Sequence, residues 1–175
     1  MNNSVTTKGI ILAGGAGTRL HPITRVVSKQ LLPIYNKPMI YYPLSTLINS
    51  GIDEIMVITT PEDEHLFKRL LGNGNQWNVS IDYAIQEKPN GIAQALLICD
   101  EWLNGSNSVL ILGDNLFFGP NFNKIIKDAI ISNKGATIFG YQVDDPNRFG
   151  VIEFDENNNV LSVEEKPKIA KSKWA

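Results

Sequence analysis

The chain has 175 residues, 43% of them hydrophobic, which is enough for one good core and offers no sign of a second complete domain, so residues 1–175 read as a single unit. Net charge is −2, yet every residue before Asp53 is neutral or basic, with Lys8, Arg19, Arg25, Lys29 and Lys37 supplying the cations. A local positive end of this kind lacks the broad basic face of a nucleic-acid binder, and no apolar run approaches the roughly 18 residues of a membrane span. The polar start, Met1 to Lys8, has no signal core, so the chain is expected to be cytoplasmic.

Gly9-Ile10-Ile11-Leu12 reads as a buried strand that passes straight into a loop, Ala13-Gly14-Gly15-Ala16-Gly17-Thr18-Arg19-Leu20. Glycine leaves backbone N–H groups open to a ligand, and Arg19 adds a fork of donors suited to phosphate oxygens. The loop is not a Walker loop, because Thr18-Arg19 follows Gly17 in place of Lys-Ser/Thr. Nor is it a dinucleotide fingerprint, since Leu20 replaces the last small residue and no acid precedes Asp53. With the neighbouring cations, the loop is better matched to a small polyphosphate.

His21 to Pro33 is rich in β-branched residues and bounded by prolines, which predicts an ordered loop folding back over the glycines rather than a helix. A helix is expected from Pro38 to about Ser50, stopped by Gly51 and kinked at Pro43. Ile55–Thr59 is a buried strand candidate. Pro61–Leu71 reads as a helix with Leu66, Phe67 and Leu70 on one side, and Gly72–Asn75 as a turn. A strand near Val79–Ile85, a loop over Gln86–Gly91 and a helix from Ile92 to Leu103 follow. Cys99, the only cysteine, lies among apolar residues and reads as a buried thiol. Val109–Leu112 forms the next buried strand and ends in Gly113-Asp114-Asn115. A helix over Asn121–Ser132 and a strand over Ala136–Tyr141 complete the alternation.

Alternating strands and helices imply an α/β fold, a Rossmann-like, mostly parallel sheet flanked by helices, with ligands beyond the carboxyl ends of the strands. The glycine loop, Gln86 and Asp114 all fall at such ends. Asp114 is placed like a carboxylate that holds Mg²⁺ over phosphates, although a turn cap would look the same. Lys29, Arg19 and Lys166 are unremarkable singly and gain weight only from their joint placement beside these loops. The pattern then changes: Phe149–Phe154 and Val160–Val163, around Asp155–Asn159, read as an antiparallel hairpin near the C-terminus, set across one edge of the site.

Taken together, Gly14-Gly15-Ala16-Gly17-Thr18-Arg19-Leu20, Ser28-Lys29-Gln30-Leu31-Leu32-Pro33, Gly113-Asp114-Asn115 and Glu164-Glu165-Lys166-Pro167 resemble, in order, the motifs of the glucose-1-phosphate thymidylyltransferases (dTDP-glucose pyrophosphorylases), a group of sugar nucleotidyltransferases. The resemblance runs from about Lys8 to the last residue. It implies Mg²⁺-dependent transfer of a thymidylyl group from dTTP to glucose 1-phosphate, giving dTDP-glucose and pyrophosphate without a covalent enzyme intermediate. It further implies nucleotide contacts from Leu12, Ala13, Gly14, Gly15, Gly17, Thr18, Pro89, Gly91 and Gly113, with Gln30 and Gln86 on the thymine edge. Arg19 is implied to hold the outgoing pyrophosphate, Lys29 the reacting phosphates and Asp114 the metal. On the sugar side, Asn115, Gly150 and Glu165 are the implied ligands and Lys166 holds the sugar phosphate, so that Arg19, Lys29, Asp114 and Lys166 form the catalytic set. Phe149 stands where the family often has Tyr.

The resemblance also implies assembly as a homo-oligomer, a tetramer in the full-length family. The part that supplies its interfaces, a second metal carboxylate and further sugar contacts is expected to follow the stretch resembled by Lys168–Ala175. Two other readings stay open: a nucleotidyltransferase of the same kind that uses UTP, and a nucleotide-binding fragment with impaired turnover.

Overall fold

The computed structural model describes residues 6–15, 17–157 and 159–175; residues 1–5, Ala16 of the glycine loop and Asn158 lie outside them. Described residues fall into two compact units, one ending at Ser132 and one running from Asn133 to Ala175.

The first unit is built on four parallel strands: β1 (Thr7–Leu12), then, after the two-residue strands β2 (Pro33–Ile34) and β3 (Lys37–Pro38) and helix α1 (Tyr41–Asn49), β4 (Glu54–Thr59). Helix α2 (Glu64–Leu71), β5 (Ser80–Ile85), α3 (Ala93–Ile98), α4 (Asp100–Leu103), β6 (Asn107–Leu112) and α5 (Phe122–Ser132) follow. Across the sheet the order is β5-β4-β1-β6, with Gly9 opposite both Ile55 and Val109 and with Ile11 opposite Val57 and Ile111. The chain therefore builds outward from β1 to β5 and returns to the other side of β1. The reversal lies between β1 and β6, the place where open α/β sheets take their ligands.

Side chains alternate across the strands and so divide the core in two. Ile11, Ile55, Val57, Ile81 and Ile111 pack with Leu44 and Leu47 of α1 and Phe67 and Leu71 of α2. Ile10, Met56 and Ile58 face the other way, against Ala95 of α3 and Cys99. A sheet buried on both faces explains why its strands read as unbroken apolar runs. Gly9 is required by this packing: a Cβ there would sit 2.8 Å from Leu47 Cδ1 and 3.1 Å from Ile52 Cγ2.

Several boundaries differ from the sequence expectation. Helix α1 begins at Tyr41, and Pro38 pairs instead in the β2–β3 ladder, Pro33 opposite Pro38. Pro43 is then the third helical residue, where an N–H would have no intrahelical acceptor, so it calls for no kink. Helix α2 begins at Glu64, after a turn in which the Thr60 hydroxyl donates to Asp63 at 3.0 Å. Phe67 and Leu71 are its fully buried pair, Leu70 packs partly buried against the same cluster as expected, and Leu66 lines a cleft instead. The helix expected over Ile92–Leu103 is interrupted at Cys99, whose φ of −92° and ψ of 1° separate α3 from α4.

Cys99 is 0% exposed, and burial pushes its thiol up to about 11. At neutral pH that leaves only about one thiolate in ten thousand, and the thiolate is the reactive form. Cys99 should therefore react with a thiol reagent more than a hundredfold more slowly in the native protein than in denaturant, as followed by the time course of labelling.

The second unit holds the expected antiparallel hairpin, β7 (Gly150–Phe154) and β8 (Val160–Glu165), with Gly150 opposite Glu165. Asp155 shapes its turn, accepting from the Asn157 and Asn159 amides at 2.8 Å each. The strand expected over Ala136–Tyr141 is not formed. Regular pairing here is reduced to a single bridge, Gln142 with Trp174, flanked by the Tyr141 amide donating to the Ala175 carbonyl at 2.7 Å.

Candidate active site

Ladder hydrogen bonds carry three predicted residues just past the carboxyl ends of their strands. The Ala13 amide donates to the Ile58 carbonyl at 2.8 Å, Gly113 to Leu12 at 2.9 Å and Gln86 to Thr59 at 2.8 Å. Leu12, at the end of β1, pairs with both Ile58 and Leu112. At Gly113 the chains approach closely, because a Cβ would lie 3.2 Å from Ala13 Cα and 3.0 Å from Gln30 Cγ.

From this edge the glycine loop departs with φ of +109° at Gly15 and +55° at Gly17, conformations that an L side chain resists. Thr18-Arg19-Leu20 then forms a tight helical turn, and the next segment folds back as expected: the Thr24 hydroxyl donates to the Gly17 carbonyl at 2.8 Å. Arg19 is exposed and has no ion-pair partner among the described residues, so its guanidinium is available to an anion.

Lys29 and Asp114 meet directly, the Lys29 ammonium donating to Asp114 Oδ2. Eighty-five positions apart in the chain, they flank the β1–β6 reversal, one from the loop after β1 and one from the end of β6. Both side chains are about a third exposed or less, at 27% and 32%. Asn115 lies beside them in a turn, its amide donating to the Leu112 carbonyl at 3.0 Å.

The two glutamines are not solvated loop amides. Gln30 is 4% exposed, accepts from the Ser28 hydroxyl at 2.7 Å and directs its Nε2 at the Gly14 carbonyl, 3.4 Å away. Gln86 is 6% exposed, and its Nε2 donates to the Gly91 carbonyl at 3.3 Å and to Gln94 Oε1 at 2.7 Å. A Cβ on Gly14 would lie 3.3 Å from Gln86 Oε1. Ser28 and Gln94 are the members that sequence reasoning missed. Gln94 carried a signal, as the lone polar residue in the apolar run Ile92–Ile98.

A cleft of about 520 Å³ opens beyond β1, β4 and β5, lined among others by Gly15, Arg25, Ser28, Thr60, Gln86 and Pro89. Gly91 borders the Gln86 loop with φ of +95° and open space beside its Cα. The Lys29–Asp114 pair and Arg19 lie outside the lining of this cleft. Among the described residues, no three His, Cys, Asp or Glu side chains cluster as an all-protein metal cage. Asp114 supplies one hard oxygen donor group, which fits an ion such as Mg²⁺ that usually takes one or two carboxylates and completes its shell with substrate phosphates and water.

In the second unit, Gly150 and Glu165 face each other across the hairpin, and a Cβ on Gly150 would sit 3.3 Å from Glu165 Oε2. Lys166 follows at φ +47°, its amide donating to the Phe149 carbonyl at 2.8 Å, with its ammonium 3.4 Å from Glu165 Oε1. Both charged side chains are exposed, so neither is tied down by burial.

The parallel sheet, its β1–β6 reversal and the glycine loop that leaves β1 define a Rossmann-like α/β protein. Comparison with known proteins gives the family. Residues 8–175, across both units, match the sequence model of the nucleotidyl transferase family. The chain belongs to the nucleotidyl transferase family. It is 60% identical over 168 residues to a glucose-1-phosphate thymidylyltransferase of Neisseria gonorrhoeae, covering 96% of this chain and 58% of that protein. It thus spans little more than half the length of that relative. A Bacillus anthracis protein assigned to the glucose-1-phosphate thymidylyltransferases, solved in complex with sucrose, superimposes with a TM-score of 0.90 at 41% identity over 97% of this chain and 68% of its own. A UDP-glucose pyrophosphorylase solved with UDP-glucose shares the fold, with a TM-score of 0.79 at 22% identity over 98% of this chain and 74% of its own.

Proposed function

We propose that this chain is the nucleotide-handling core of a glucose-1-phosphate thymidylyltransferase, transferring a thymidylyl group from dTTP to glucose 1-phosphate. The observation that carries this reading is the Lys29–Asp114 pair at the sheet's reversal point, beside a glycine loop with an uncommitted arginine. The name of the Neisseria relative supports the choice of substrates.

In this reading an oxygen of the sugar phosphate attacks the α-phosphorus of dTTP in line, a new P–O bond forms, and the α–β bond breaks to release pyrophosphate. Little covalent work falls to the protein, so catalysis is positioning and charge neutralisation. The open N–H groups of Gly14, Gly15 and Gly17 cradle the phosphates, Lys29 neutralises the reacting phosphoryl group and Arg19 receives the leaving pyrophosphate. Asp114 would hold a divalent cation, Mg²⁺ by preference, whose chemistry when bound is to offset triphosphate charge. Gln30, Gln86, Pro89 and Gly91 serve the base, while Asn115, Gly150, Glu165 and Lys166 keep the sugar and sugar-phosphate roles implied by the resemblance. Homo-oligomeric assembly and a cytoplasmic setting belong to the same proposal.

The test is release of pyrophosphate from dTTP and Mg²⁺, with and without glucose 1-phosphate and with UTP as competitor substrate. Sugar-dependent release preferring dTTP is expected. Preference for UTP would move the protein to a uridylyl-transferring relative, and binding of dTTP with no release would leave a nucleotide-binding module.

A further inference from the structure

Gln86 can present either end of its amide to a ligand, and its neighbours decide which. The Gly91 carbonyl only accepts hydrogen bonds, so the Gln86 group 3.3 Å from it is the NH₂. Its other hydrogen goes to Gln94 Oε1 at 2.7 Å, which commits both donors inside the protein. Gln86 Oε1 receives no hydrogen bond from any described side chain, yet no buried side-chain oxygen among the described residues lacks a partner. The oxygen is therefore solvent-accessible, on a residue that lines the cleft and beside Gly14 of the glycine loop.

Resting on the proposed nucleotide site, we propose that Gln94 is a positioning residue that locks the Gln86 amide so that the cleft meets only its Oε1 acceptor, selecting pyrimidine bases with an N3–H, thymine or uracil, over cytosine. Thymine and uracil carry a proton on N3 that such an acceptor can receive. Cytosine has a lone pair on N3, which would face the Gln86 oxygen with no hydrogen between them. Gln94 is the second residue of α3, next to Ala95, which is 0% exposed, so the acceptor that holds Gln86 sits on a packed helix rather than a loop. An alanine or leucine at position 94 would leave the Gln86 NH₂ with the long Gly91 contact alone.

Calorimetric titration of this chain with dTTP, dCTP and N3-methyl-dTTP, all with Mg²⁺, tests the assignment in the parent protein and in Gln94→Leu and Gln94→Glu. The parent should prefer dTTP over both analogues by about tenfold or more. Gln94→Leu should bring dTTP and dCTP within about threefold of each other, whereas Gln94→Glu, whose carboxylate still accepts from Gln86, should retain most of the preference. Thermal melts establish that the variants fold. Discrimination unchanged in Gln94→Leu, or lost equally in Gln94→Glu, overturns the assignment. Should the leucine variant fail to fold, N3-methyl-dTTP binding the parent as tightly as dTTP overturns it independently. A parent that binds dTTP without discrimination removes this inference alone, while one that binds no nucleotide removes the proposed site with it.

Discussion

Asp114→Asn is expected to slow pyrophosphate release about a hundredfold or more, on the order of 3 kcal/mol in the barrier, with almost no change in the unfolding temperature. The two halves of that expectation have separate causes. Asn keeps the shape and one acceptor oxygen but loses the charge that a hard divalent cation requires, so the loss falls on the reaction. The fold loses only the ion pair with Lys29, whose partners are both partly exposed, and such pairs are worth about 0–1 kcal/mol. Core packing around Ile11 and Ile111 is untouched. Steady-state rates across a Mg²⁺ titration, with a thermal melt, check both parts. A near-normal rate at limiting Mg²⁺ would exclude Asp114 as a metal ligand.

Lys29→Ala should also cost about a hundredfold in rate, with the opposite effect on the free metal site. In the ligand-free protein the Lys29 ammonium already neutralises Asp114, so an incoming cation must compete with it. Removing that competitor should tighten Mg²⁺ binding in the absence of nucleotide, while the reacting phosphoryl group loses its neutralising partner. Metal titration without nucleotide and single-turnover rates with dTTP and glucose 1-phosphate separate the two. Weaker metal binding in Lys29→Ala would mean that the lysine supports Asp114 rather than competing for it. Asp114→Asn and Lys29→Ala should also be non-additive, because each removes the partner of the other.

Much of this was legible in the residues. Apolar runs closed by Gly14-Gly15, Thr60-Pro61 and Gly113-Asp114 marked the strands β1, β4 and β6 and where each ends, because a strand buried on both faces has a distinctive composition. Three tight deviations, at Pro43, Cys99 and Ala136–Tyr141, were missed for one shared reason. A proline at the third helical position is harmless, a helix break at Cys99 is a matter of two backbone angles, and a strand needs a partner; each depends on register or neighbours. The glutamines illustrate the same division. Gln30 and Gln86 stood out by their motifs and loops, but their burial, and the commitment of both Gln86 donors, rests on Ser28, Gly14, Gly91 and Gln94 arriving from other parts of the chain.

Residue pattern alone therefore gave the α/β class and the hairpin, and singled out the glycine loop, the cations and the carboxylate as candidates for the site, since periodicity, glycine and charge act locally. Strand order was decided only by tertiary packing. Nothing local in β6 says that it returns to pair with β1 on the side away from β4, and that placement creates the reversal point where Lys29 meets Asp114 across 85 positions. Long-range contacts of this kind are paid for in chain entropy and settled by the fit of whole faces, Ile10 and Ile58 to Ala95 and Cys99 on one side and Ile11 and Val57 to Leu47 and Phe67 on the other.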